Sequence, residues 1–464
     1  MTKKLSPTIA LTFVSVLVLG GCGAMTTPYE SPDVTVPARW TQPMPDAAAD
    51  TAKASLSEWW TAFNDTTLDG LVSEALQKNN DLAAATIRVR RAQLQAGLAE
   101  EKLTPRLSAS GNVELDRQLR NERRSSRSAS ASAGASWEID LWNRLGSEAD
   151  EARWEALATE EDRQATARTL VGTVTDLYWQ IAYLNERIAL SDESVAYAKR
   201  TLALVQARYN AGSTSPLEVA EARQSLESQQ ASHLGLLQQR VEQRNAMAIL
   251  FNGPPSFAKP EKTRLPTGKI PAVDAGLPAS LLGRRPDMKA AELRLRSKLS
   301  GIDATRASYY PTFTLTGTLG SASSILVDVL RNPIATLGAG LTLPFLQWSE
   351  MKMQVAVSET EYEEAVVDFR QTLYSAMKDV EDALSARTYY AQQETSRRRS
   401  LAAARQAEQL YETRYRSGSV SLQSWLDAQE KRRAAQVTLA ENRLDQLNAF
   451  TALCQALGGA PRLD

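Results

Sequence analysis

The sequence predicts a mixed, mostly α chain with two internal structural repeats. Each chain gives four strands to a membrane β-barrel, twelve in a trimer, and a long coiled-coil α-barrel continues it. Three observations carry this expectation. The two halves of the chain match at one fixed offset, four segments alternate apolar and polar residues, and two very long stretches read as unbroken helix.

Lys3 and Lys4 precede an apolar run, Ile9 to Leu19, and Leu19-Gly20-Gly21-Cys22 then sets small residues before a cysteine. Residues 1–21 therefore resemble a bacterial lipoprotein signal peptide, cleaved before Cys22, which takes a covalent lipid. An ordinary signal peptide is the alternative. Gly23 stands where lipoproteins kept in the inner membrane carry Asp, which favours the outer membrane. Residues 22–55 hold five prolines and little apolar periodicity, and read as a lipidated extended tether.

An offset of 206 residues aligns the rest with itself. Asp81 meets Asp287, Pro105 meets Pro311, Gly111 meets Gly317 and Trp142 meets Trp348. Arg208-Tyr209 meets Arg414-Tyr415, and Gly212-Ser213 meets Gly418-Ser419. The first repeat covers 56–253, a Pro-rich linker 254–274, the second repeat 275–459, and a short tail 460–464. Each repeat reads helix, strand, strand, long helix, tight turn, helix.

Strands are expected at about 106–118, 127–141, 311–320 and 334–343, from alternation of period two. Leu107, Ala109, Gly111, Val113 and Leu115 oppose Ser108, Ser110, Asn112, Glu114 and Asp116; the other three segments repeat the pattern. Their lengths approach the roughly 9–11 residues of a tilted membrane strand. No stretch beyond the signal offers about 20 apolar residues for a spanning helix, so a membrane crossing must be a closed barrel. Four strands cannot close one, since membrane barrels begin at about eight. Three chains would supply twelve. A soluble sandwich with one buried face is the competing reading.

Helices are expected at about 65–103, 143–210, 216–251, 278–308, 347–416 and 421–457. In the 143–210 segment, Leu170, Val174, Leu177, Ile181, Leu184 and Ile188 recur with the 4-3 spacing of a coiled-coil seam. At about 1.5 Å per residue this helix runs roughly 100 Å. Gly212 and Gly418 end the long helices as left-handed stops.

Composition removes several classes. The net charge of -1 gives no basis for binding nucleic acid. His233 is the only histidine, so His-based metal sites and His-dependent triads lack their residues, and no enzyme, metal site or cofactor beyond the Cys22 lipid is expected. Cys454 lies on an apolar seam with Ala440, Leu444 and Leu447 and reads as a small buried hydrophobe.

Leu281-Leu282-Gly283-Arg284-Arg285-Pro286-Asp287, then Ala291-Glu292 and Tyr310-Pro311, resembles the signature of the TolC family of outer-membrane factors. Glu58-Trp59-Trp60, Phe63, Asn80-Asp81-Leu82, Tyr415-Arg416-Ser417-Gly418 and Leu426-Asp427-Ala428 are similar to its lipidated OprM/CusC-like (NodT) branch. The resemblance spans essentially the whole mature chain. It implies a homotrimeric, passive efflux duct of the outer membrane, reaching into the periplasm. Its implied partners are a periplasmic adaptor and an inner-membrane pump of the resistance-nodulation-division type, and its implied cargo is drugs, other toxic small molecules or metal ions.

The resemblance also implies a periplasmic gate, carried over to Asp427 and Tyr415. The chain departs from the family pattern at Ser424, where some members have a second aspartate, and at Gln423, where OprM-like members have an apolar residue. Capping or decorating a helix start is the alternative for Asp427. Adaptor docking is expected at the hairpin tips, Arg208 with Gly212 and Arg414 with Gly418, although both glycines are also needed for the turns themselves. A protein-secretion channel of the same family and a periplasmic coiled-coil scaffold are the competing functions.

Overall fold

The computed structural model describes residues 26–42, 56–117, 125–255, 258–323 and 333–461. Cys22, the expected lipid site, lies outside the described residues. The elements are helices α1 (Thr66–Lys78) and α2 (Asn80–Glu101), strands β1 (Arg106–Arg117) and β2 (Ser125–Ile139), and helices α3 (Arg144–Asn210) and α4 (Pro216–Leu250). The second repeat gives the short α5 (Leu281–Arg284), α6 (Pro286–Ala307), β3 (Thr312–Ser323), β4 (Ile334–Thr342), α7 (Trp348–Arg416) and α8 (Leu422–Ala456).

One difference from the expectation recurs in both repeats. In place of one helix over 65–103, the chain breaks at Asn79, whose ψ of 131° is extended. Its side chain turns to cap the next helix, accepting from Asp81 N at 2.9 Å and Leu82 N at 3.0 Å. In place of one helix over 278–308, the chain breaks at Arg285, ψ 125°, because Pro286 disfavours a helical residue before it. Asn79 and Arg285 are 206 positions apart, so the break is itself part of the repeat.

Contacts divide the chain into two units. The first contains the described residues of Met1–Val34 with Ile87–Glu160 and Ala290–Gln371. Its sheet has the order β1-β2-β3-β4, every pair antiparallel. Register places Ser110 opposite Ser132, where their hydroxyls bond at 2.9 Å, and Ala133 opposite Leu319. Trp142 Nε1 donates to the Pro311 carbonyl at 2.8 Å and tethers the entry of β3. Among the described residues β1 pairs only with β2 and β4 only with β3, so both outer edges are open. Leu107, Val113 and Leu337 on those strands are exposed, Leu337 by 91%. A soluble sandwich would cover these side chains; this sheet leaves them bare.

The extended N-terminal segment is held as a strap. In the first unit Asp303 accepts from both Thr27 N (2.7 Å) and Thr27 Oγ1 (2.6 Å), and Arg296 lies 4.4 Å from the Tyr29 ring centroid.

The second unit contains Thr35–Thr86, Glu161–Lys289 and Thr372–Asp464 in their described parts. Its core gathers Trp59, Phe63, Trp179, Leu447 and Phe450. Phe63 stands edge-on to both Trp179 and Phe450, at 5.2 and 5.1 Å between centroids. Cys454 is fully buried beside them, and burial pushes its thiol pKa far up. Here Trp40 Nε1 donates to Gly276 O, and Thr41 N and Gln42 N donate to the Glu381 carboxylate.

The Gly283–Asp287 signature is a knot in this unit. The guanidinium of Arg285, almost wholly buried, forms two bonds to Asp287 (3.0 and 2.7 Å) and one to the Ala456 carbonyl (3.1 Å). Arg168 adds a contact to Asp287 at 3.3 Å. Burial alone would raise the Asp287 carboxyl, but the Arg285 bonds and the two cations reverse this and hold it below its usual range. Gly458, φ +85°, lies so close to Arg284 that an added Cβ would sit 2.8 Å from its carbonyl oxygen.

Candidate functional site: the two hairpin tips

Both long helices end in the same way. Ser213 N donates to Arg208 O (2.8 Å) and Gly212 N to Tyr209 O (2.9 Å); Ser419 N donates to Arg414 O (2.8 Å) and Gly418 N to Tyr415 O (2.9 Å). These are paired six-to-one and five-to-two bonds around a left-handed glycine, φ +73° at Gly212 and +79° at Gly418. The returning helices start at Pro216, which suits a first helical position, and at Leu422, where Ser421 accepts from Ser424 N.

The tips pack through Val205, Ala222, Tyr415, Leu422 and Trp425, all essentially buried. Tyr415 sits at the centre. Its ring stacks on Trp425 at 5.2 Å, with 27° between the planes, and the Arg208 guanidinium lies 4.7 Å from its centroid. Arg208 Nη1 also donates to the Tyr415 carbonyl at 3.0 Å. The phenol donates to Glu218 Oε2 at 3.0 Å, and Thr214 Oγ1 donates to the same oxygen. Burial first, then the Glu218 carboxylate, raises the phenol to about 12 against the opposing charge of Arg208.

A second layer follows on α3, α7 and α8. Tyr197 donates to Glu412 at 3.1 Å, and Glu408 pairs with Arg432 at 2.5 Å. Burial, with Glu408 and Glu412 nearby, raises the Tyr197 phenol strongly.

Of the residues read from sequence, Arg208, expected at a docking tip, and Tyr415, expected at the gate, are brought into direct contact. Asp427 is exposed and is held by Gln423 Nε2 at 2.7 Å. Ser424, half-buried, has its hydroxyl 3.2 Å from that of Ser421. Arg414 and both glycines are exposed. Glu218 and Trp425 were not singled out. They occupy 206-offset positions where the other repeat has Ser424 and Val219, so repeat symmetry hides them, while their departure from it is the usable signal.

The outer membrane efflux protein family model matches this chain twice, over residues 71–253 and 277–459. The chain belongs to that family. It is an outer-membrane channel protein of efflux systems, and the fold described above is the fold of such channels. Among its relatives is the pyoverdine export outer membrane protein OpmQ of Pseudomonas putida, 34% identical over 460 residues, covering 97% of this chain and 96% of the relative. The probable outer membrane lipoprotein SilC of Salmonella typhimurium is 27% identical, covering 96% and 97%. The crystallised transmembrane channel CusC superimposes with a TM-score of 0.82 at 26% identity, over 94% of this chain and 99% of that one. The family and its solved neighbours are passive channel proteins, and this chain is built as they are.

Proposed function

We propose that three copies close into one duct and that the paired tips are its periplasmic gate. The carrying observation is the four-stranded sheet with two open edges and uncovered apolar side chains. Such edges demand partners, and three copies give twelve strands. Exposed Ile87, Leu94 and Leu98 on α2, and Val357 and Val367 on α7, supply apolar stripes for neighbouring copies to cover. The duct performs no bond chemistry; it conducts. Its cargo is small toxic molecules, drugs or metal ions, chosen by an inner-membrane pump of the resistance-nodulation-division type and passed on through a periplasmic adaptor. OpmQ is named for the export of pyoverdine.

In the trimer, three Asp427 carboxylates crowd the axis with Gln423 and Ser424 beside them, an arrangement that attracts cations. Tyr415 locks each tip pair from within. Arg414 and the turns at Gly212 and Gly418 face the adaptor. Cys22 carries the lipid that joins the chain to the outer membrane. Deleting the gene and restoring it on a plasmid tests the duct: loss of resistance to exported compounds, restored with the plasmid and dependent on the pump, supports it. Unchanged resistance together with absence of conductance in planar bilayers would refute it.

A further inference from the structure

A cavity of about 870 Å³ opens in the first unit beside the sheet. Tyr309, Tyr310, Phe345 and Trp348 line it with Met351 and Val355, and Thr26, Thr27 and Pro28 of the strap form one wall. Its volume falls within the roughly 300–1,000 Å³ of pockets that hold small ligands. Its aromatics come from the residues just before β3 and just after β4, the level at which a barrel strand leaves hydrocarbon and aromatic side chains gather. Among the lining residues Lys352 stands over the Trp348 ring, 5.1 Å from its centroid, and Arg306 pairs with Glu359 at 2.7 Å. With Asp303 the lining carries two charges of each sign, so what it offers a ligand is its apolar and aromatic surface rather than a net charge.

We propose that this cavity seats an acyl chain of the lipid on Cys22 of the same chain. The inference rests on the reading of Cys22 as acylated and extends it from a membrane anchor to a seated ligand. Its warrant is reach. Only Gly23, Ala24 and Met25 separate Cys22 from Thr26, so even fully extended the cysteine lies within about 14 Å of the cavity wall. The wall does not drift, because Asp303 grips Thr27 through both its N–H and its hydroxyl. A lipid on so short a leash is held beside this pocket at an effective concentration in the millimolar range or above. Seated there, the chain would fill the junction between α6, α7 and the ends of β3 and β4, and so brace the sheet edge that the next copy must join.

The test uses full-length protein extracted from outer membranes. Val355→Cys is labelled with a benzophenone maleimide and irradiated, with Met353→Cys, exposed and outside the cavity lining, as the control. Mass spectrometry of the N-terminal peptide first establishes whether Cys22 is acylated. The proposal expects an intrachain crosslink from position 355 to the Cys22 lipopeptide. The same crosslink should be at least tenfold weaker from 353, and several-fold weaker when Asp303→Asn and Thr27→Val loosen the strap. An acylated Cys22 with crosslinks only to free phospholipid, only to a peptide of a second copy, or to nothing overturns the seating while leaving the anchor intact. An unacylated Cys22 overturns both.

Discussion

The Tyr415 phenol donates to the Glu218 carboxylate at 3.0 Å, joining the end of α7 to the start of α4. One hydrogen bond thus ties the tip of the second repeat to that of the first, and it does so from a ring with almost no exposure. A hydrogen bond to a charged group contributes roughly 1.5–3 kcal/mol, enough to hold a two-state tip largely in one arrangement.

Tyr415→Phe keeps the stack on Trp425 and removes only this bond. The closed tip should weaken by about 1.5–3 kcal/mol, roughly tenfold or more in population. Single-channel recordings in planar bilayers should show more frequent or larger openings. Recordings indistinguishable from wild type would remove the bond from gating. Because the phenol is neutral up to about pH 12, against an unfolded value near 10, the bond is fully present below pH 10 and fades as pH climbs through 12. Opening should therefore rise only at strongly alkaline pH.

Asp427→Asn leaves the partner Gln423 in place and removes the charge. Cation selectivity in the same bilayers should fall. Unchanged selectivity would take Asp427 off the conduction path.

Arg414→Glu and Arg208→Glu should differ. Arg414 is exposed, so its charge reversal should lower resistance with trimer yield unaltered if the adaptor docks there. Arg208 also contacts Tyr415, so its reversal should disturb conductance of the isolated channel as well. Conductance altered equally by both would argue that neither reports docking alone.

Gly418→Ala meets no neighbour within 4 Å, so its cost is conformational. A left-handed alanine should lose about 1–2 kcal/mol, readable as a lower melting temperature of the helical signal. Gly418→Asn should lose less. Equal losses would mean that the turn changes its conformation rather than bearing the strain.

Asp176 on α3 gives a pH signature. Burial raises its carboxyl to about 7 from 3.8, with Thr451 pulling the other way, and its Oδ1 has no partner among the described residues. The raised folded value means its contribution is full below about pH 4 and is lost as pH rises through 7, in total on the order of 4 kcal/mol. Wild type should melt lower at pH 8 than at pH 5, and Asp176→Asn should flatten that difference. An unchanged difference would place the effect in other groups.

The repeat, the strand pattern and the tip glycines were legible because each rests on local rules: period two, a 4-3 seam, and a left-handed stop. The breaks at Asn79 and Arg285 were written there too, in an Asx cap and in an X-Pro step, but helical periodicity runs through them and masks the signal. Asp303's grip on Thr27 and Glu218's on Tyr415 were not legible. They join positions 276 and 197 residues apart, and no spacing rule reaches so far. The signature Arg285-Pro286-Asp287 is recognised by resemblance; its physical reason, a buried guanidinium hydrogen-bonded to Asp287 and the Ala456 carbonyl with Asp379 3.5 Å away, needed the fold.

The central claim is a barrel shared by three chains, β1 of one copy meeting β4 of the next. Within one chain these strands are three spacings apart, about 14 Å, beyond a short bismaleimide. A chain carrying Val113→Cys and Leu337→Cys, crosslinked in outer membranes and run on a denaturing gel, should give covalent species that end at three copies. A ladder that stops at two, runs past three, or never forms would contradict the shared barrel.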